Sequence, residues 1–162
     1  MAVDAAAGTG SLRTLGTTAL KAAAGDHSHA GGTAPVFGRV ASTAGNLTTT
    51  STTLVDVTGA TITFTTGAFP VRYSAAQSAQ HSTPNIIYFS VDVDGTLLHG
   101  TSGIGEEPSG VNFNKACSFS GQTAALTAAA HTLKMQWRTD LGTATLRRDA
   151  TVSHMFSAEE IS

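Results

Sequence analysis

Two histidines one residue apart, His27 and His29, form the most specific chemical signal in the chain. Imidazole suits transition metals, and if three copies lay parallel they would bring six rings to one axis, enough for an octahedral site. One copy offers two ligands, too few for a structural metal; on that reading the segment is a polar loop in which Asp26 caps a turn. Other reactive side chains are scattered. His99, His131 and His154 can be set beside Asp92, Asp140 and Ser153 as a nominal triad, but no Gly-x-Ser-x-Gly elbow is present. The single cysteine, Cys117, cannot close an intrachain disulfide and reads as a buried thiol. Asp92 and Asp94 lack the repeated acidic ligands of a calcium loop, so they read as part of a turn at Asp94–Gly95. Gly8-Thr9-Gly10 lacks the Gly-Lys-Ser/Thr that completes a phosphate loop. No enzymatic activity is expected, and no cofactor beyond that conditional metal.

The elements that must hold these groups are strands. Leu133, Met135 and Trp137 alternate with Lys134, Gln136 and Arg138, the period of a half-buried strand. With a turn at 140–142 and Thr143–Leu146 beyond it, Ala130–Arg148 reads as a hairpin that other strands must cover. Asn85–Val93 is the strongest strand, with Ile87, Phe89, Val91 and Val93 on one face and Tyr88 on the other. Ala60–Thr66 places Ile62 and Phe64 together, preceded by a turn at Thr58–Gly59. Phe69–Ser74 reads as a strand, Ala75–Thr83 as a loop and Thr101–Gly110 as a solvent-facing loop. Val111, Phe113, Lys115, Cys117 and Phe119 share one face of a further strand, and Val152, His154 and Phe156 share one face of the last. About eight to ten short strands with turns between them point to an all-β antiparallel sandwich or jelly roll.

Residues 1–34 differ in character. Leu12, Leu15 and Leu20 are the only large aliphatic residues after the first three positions, and six glycines interrupt the segment. Thr17–Ala24 could form about two helical turns ended by Gly25, too short to be stable without a partner surface. Two readings follow: an extended N-terminal arm anchoring through those leucines, or a disordered tail. The β-domain is expected over 35–162.

Charge excludes some functions. Charged residues make up 12% of the chain, well below the roughly 25% usual for soluble proteins. Nine Lys+Arg against eleven Asp+Glu give a net charge of −2, and Arg147–Arg148 is too little for a phosphate-binding stripe, so no direct nucleic-acid binding is expected. No apolar run approaches the 18 or so residues of a membrane span, and no signal segment opens the chain.

Several stretches resemble virion proteins of tailed bacteriophages. Ser11–Ala30 is similar to the segment preceding a C-terminal β-domain in phage accessory proteins. Thr52–Thr66, Asn85–Gly95 and Ala129–Ile161 resemble their tumour-necrosis-factor-like jelly-roll heads. The resemblance implies a homotrimer joined through its sheets, with Tyr88, Phe89, Leu133, Met135, Trp137 and Phe156 packing the core or the trimer seam. It also implies the use of His-x-His rings for iron or zinc, as in similar phage fibres. A short chain opening with its own methionine looks more like a capsid decoration protein or short head fibre than a long tail-fibre head. The expected partner is then the major capsid protein, on the capsid exterior of a virion assembled in the host cytoplasm. The alternative is a baseplate or receptor-binding tip whose loops Ser74–Pro84 and Thr101–Gly110 recognise a host surface saccharide.

Overall fold

A computed structural model describes residues 37–42, 45–106, 111–149 and 152–161. Leu12, Leu15, Leu20, His27, His29 and the short helix expected at Thr17–Ala24 lie outside the described residues. The described part comprises eleven strands: β1 (Phe37–Ser42), β2 (Leu47–Thr49), β3 (Val55–Thr65), β4 (Val71–His81), β5 (Ile87–Val93), β6 (Thr96–Leu97), β7 (Ile104–Glu106), β8 (Lys115–Gln122), β9 (Ala130–Thr139), β10 (Ala144–Arg147) and β11 (His154–Glu160). They form an antiparallel sandwich with jelly-roll-like topology and, among the described residues, no helix.

One sheet has six strands in the order β1-β11-β4-β10-β2, with β8 on the other edge of β4. The other has five, in the order β3-β9-β5-β6, with β7 also on β5. Alternation explains the layering, because a strand sends successive side chains to opposite faces. Phe89, Val91, Leu133, Met135 and Trp137 from one sheet meet Val71, Tyr73, Phe119, Leu146 and Phe156 from the other, all in one buried core. Residues Asp94 and Gly95 take positive φ of 52° and 89°, the geometry of the two-residue turn read from the sequence.

Four local expectations need correction. First, Ala130–Arg148 is not a hairpin. Both flanks of β9 are filled, by β3 and β5, so β10 cannot pair with it and crosses to β4 and β2 in the opposite sheet. The corner is fixed by a hydrogen-bond chain: Thr83 N–H donates to His81 Nδ1 (3.1 Å), which leaves His81 Nε2 to donate to Thr139 Oγ1 (2.7 Å), and Thr139 Oγ1 donates to the Leu141 carbonyl (2.9 Å).

Second, Thr58–Gly59 is not a turn between elements but a bulge inside β3. Asp56 faces Gln136 while Thr61 faces Lys134, so residues 57–60 stand opposite Met135 alone. Gly59 supplies the positive φ of 79° that such a bulge uses, and both Val57 and Ala60 stay in the core.

Third, Ala75–His81 is no loop. It is the second half of β4, the centre of its sheet, flanked by β8 on one side and by β11 and then β10 on the other. Fourth, Val111 and Phe113 do not extend β8; they precede it, and Phe113 is 68% exposed. Within the expected loop Thr101–Gly110, Ile104–Glu106 forms β7 against β5.

Candidate functional site

Each sheet turns one face outward, and the two outer faces differ in chemistry. On the six-stranded sheet, cross-strand pairing puts Ser120, Ser74, Ser157 and Arg39 in one row. The next rows are Ser118, Ala76, Met155 and Ala41, and then Ala116, Ser78 and Arg147. Short uncharged side chains therefore fill the middle of the face. Charge is confined to its border, where Arg72 pairs with Glu159 at 3.0 Å and Arg147 with Asp149 at 3.0 Å. A depression of about 390 Å³ opens among Ala76, Ser78, Ala116, Val152 and Met155.

The outer face of the five-stranded sheet carries a charged network. Lys134 Nζ and Gln136 Nε2 both donate to Asp56, at 3.0 and 2.7 Å. Partial burial pushes Asp56 up, but the hydrogen bonds from Gln136 and Lys134 outweigh it and hold the carboxyl below its ordinary value; Lys134 is raised by the same contact with Asp56. The guanidinium of Arg138 lies 3.8 Å from the ring centre of Tyr88, a cation–π distance, and pairs with Asp140. Tyr88 donates its hydroxyl to Asp140 at 2.9 Å, which lowers Asp140 and raises Tyr88.

Above this network lies a groove of about 570 Å³. Asp92, Gln136 and Arg138 form its floor, Thr52–Leu54 one wall, and Leu97 with Thr101 and Ser102 the other. Asp92 is 9% exposed and uses Oδ1 to accept the Gly95 N–H at 2.9 Å. Ser90, on the same strand face and opposite Gln136, is fully buried with no partner for its Oγ; Arg138 Nε is likewise buried and unpartnered.

The nominal triad is not assembled. His99 Nε2 lies 2.8 Å from the Tyr73 hydroxyl, and burial holds its pKa low. His131 bonds Asp94 at 2.5 Å, and His154 is fully buried with neither ring nitrogen partnered. Cys117 is a buried thiol whose Sγ lies 3.6 Å from the Lys115 carbonyl oxygen. Glu159 and Glu160 do not meet Arg147 or Arg148: Glu159 pairs with Arg72, and Glu160 accepts the Gly67 N–H at 2.6 Å. Arg148 instead donates to the Gly45 and Thr58 carbonyls. Glu160 and Arg148 both lie on buried sides of their segments.

Among the described residues no group of three or more His, Cys, Asp or Glu is placed to hold a metal ion. No helix among them is long and apolar enough to cross a membrane. Phe89, Leu133, Met135, Trp137 and Phe156 lie in the core, and Tyr88 is half-buried on the outer face. In the sequence Asp92 reads as a turn residue or a member of the nominal triad, and Asp56, Ser90, Gln136 and Arg138 do not stand out as site residues. The polar side of the Lys134–Arg138 alternation was the available signal; the walls that make it a groove come from distant segments.

No protein-family model and no curated protein matches the chain. Among solved structures, the chain is similar to the Eiger TNF of S. frugiperda, at 8% identity and a TM-score of 0.48, covering 80% of this chain and 94% of that one. It is also similar to the PRD1 vertex protein P5, at 14% identity and 0.46, covering 81% and 100%. A third is the sugar-binding EclA C-terminal domain, at 12% identity and 0.40, covering 68% and 76%. At these identities and scores the likenesses carry no functional argument.

Proposed function

We propose that this chain is a structural virion protein, a homotrimeric capsid decoration protein or short head fibre, that assembles through the outer face of its six-stranded sheet. The observation that supports the reading is the composition of that face. Antiparallel sheets of single-chain domains commonly turn a polar, solvated face to water. Here three successive rows, Ser120-Ser74-Ser157, Ser118-Ala76-Met155 and Ala116-Ser78, carry no charge at their centre. Loss of charge from the middle with a polar rim is the anatomy of a protein–protein interface. Short side chains let a second backbone approach closely, and the depression at Ala76 and Met155 offers a seat for a side chain of the neighbour. The virion setting comes from the resemblance of Ser11–Ala30 and the later strands to phage virion proteins, with residues 1–34 as the segment that grips the major capsid protein.

Sedimentation of the purified chain tests the assembly. A trimer is expected, and Ala76→Arg, which puts a guanidinium at the centre of the face, is expected to yield folded monomers by circular dichroism and sedimentation. A wild-type chain that stays monomeric at high concentration overturns the reading. Cryo-electron microscopy of the particle tests the location; density confined to the tail tip overturns a capsid role.

A further inference from the structure

We propose that the groove on the outer face of the five-stranded sheet binds a small aliphatic amine, its ammonium held by the Asp92 carboxylate and the side-chain carbonyl of Gln136. The site lies on the opposite sheet from the assembly face, so it goes beyond the structural role and does not depend on it.

The floor of the groove has its donors committed and its acceptors open. Arg138 donates to Asp140 and, at 3.4 Å, to the Ser102 carbonyl, and Gln136 Nε2 donates to Asp56 at 2.7 Å. Gln136 keeps its carbonyl oxygen. Asp92 is nine-tenths buried, yet Oδ1 accepts only the Gly95 N–H and Oδ2 has no partner among the described residues. Aspartate is almost never so deeply buried unless it is paired, because an ionised carboxylate taken out of water is costly without a cation beside it. The protein's own lysine does not fill that place. Lys134 stands across from Asp92 in the strand register, but its Nζ is turned to Asp56 at 3.0 Å. Open acceptors, one of them anionic, are the complement of an ammonium group, which carries three donors and no acceptor.

The walls define the rest of the ligand. A volume of about 570 Å³ falls within the range of small-ligand sites. Leu54 on one wall and Leu97 on the other give apolar cover for a short methylene chain, as apolar surface covers the stem of a lysine while its charged head stays among polar groups. Thr52, Thr101 and Ser102 add hydroxyls at the rim for a polar tail. Asp92 is the one carboxylate lining the groove among the described residues, so positive charge has a single seat and a second ammonium gains nothing. An anion is disfavoured, since Lys134 is matched by Asp56 and Arg138 by Asp140 while Asp92 repels it.

The test uses the full chain and a five-carbon series, aminopentanol, cadaverine, pentanediol and glutarate, titrated by calorimetry and NMR. Saturable binding of aminopentanol is expected, with cadaverine no more than a few-fold tighter and no binding of pentanediol or glutarate. Asp92→Asn keeps an acceptor for the Gly95 N–H and removes the charge; it is expected to weaken aminopentanol at least tenfold in a chain whose circular dichroism is unchanged. Ser102→Trp, at an exposed rim position, is expected to block the groove without touching the floor. A capped tripeptide carrying a central lysine reads the other source of the same chemistry, and tighter binding of it than of aminopentanol overturns the assignment to a free amine. Sedimentation of the same samples reads the assembly separately, so loss of amine binding with an intact oligomer is distinct from failure to assemble. Absence of aminopentanol binding, equal binding of pentanediol, or binding that survives either substitution in a folded chain overturns the proposal.

Discussion

His131 faces Asp94 through Nδ1 at 2.5 Å and the Thr127 carbonyl through Nε2 at 2.9 Å, so both ring nitrogens point at acceptors. The hydrogen bonds that His131 donates to Asp94 and then to the Thr127 carbonyl raise its pKa, and the His131 bond lowers Asp94 in return. A histidine raised on folding contributes stability fully below its unfolded pKa of roughly 6.5, and that contribution fades as pH rises through the raised folded value. His154 behaves oppositely. Burial, and then the nearby charge of Arg148, lower its pKa, so the folded state resists protonation and stability is lost as pH falls below the unfolded value. Chemical unfolding at pH 5 and pH 8 separates the two. His131→Asn is expected to lose more stability at pH 5 than at pH 8. His154→Leu, which replaces a buried imidazole lacking partners by a group of similar size, is expected to gain on the order of 1 kcal/mol, most of it at pH 5. Identical shifts at both pH values for either variant would remove the electrostatic account. None of these contacts was legible from residue spacing, since Asp94 lies in the turn after β5 and His131 on β9, which only the fold joins.

At the scale of elements, the strands with large alternating side chains were readable and those built from small ones were not. Ile87, Phe89, Val91 and Val93 announce β5 by size alone. The second half of β4 buries Ala75, Gln77, Ala79 and His81, whose modest apolar bulk resembles that of a loop although it sits mid-sheet. Pairing was less legible still. Alternation says which residues of β9 face inward but not which strand lies beside it, so two neighbouring extended segments looked like a hairpin when a corner carries the chain between sheets. Close approach between layers leaves one test here. Gly38 faces Ala158 on β11, and a Cβ there would stand 2.2 Å from Ile62 Cγ2 on β3. Ile62 is buried and stiff at χ1, so it has little room to yield. Gly38→Ala is therefore expected to cost about 1–3 kcal/mol in urea unfolding, the usual penalty for overpacking. A neutral result would mean that β1 can lift away from β3 freely.

For the whole molecule, the sandwich presents an uncharged sheet on one side and a polar groove on the other. Sequence composition anticipated the low charge but not its distribution. The segregation follows from which strands share a sheet: β4, β8 and β11 bring their serines and alanines together, while β5 and β9 bring Asp92, Gln136 and Arg138. Oligomer size reads the consequence of the first surface.

The first and last strands of the described fold are also partners. β11 holds β1 along its whole length on one side and Val71–Ala76 of β4 on the other, so two earlier strands wait for it. A ribosome would have to deliver residue 160 before that sheet could close, and the sandwich cannot form piecemeal as the chain emerges. Such long-range closure is slow, and refolding in the millisecond-to-second range is expected from stopped-flow fluorescence of Trp137. Ending the chain at Val152 should leave a polypeptide without cooperative unfolding, however many of its other strands are intact. Late arrival of one strand thus gives the protein a checkpoint: only a chain made through residue 160 can close the sandwich, and only a closed one presents the flat face through which copies would meet.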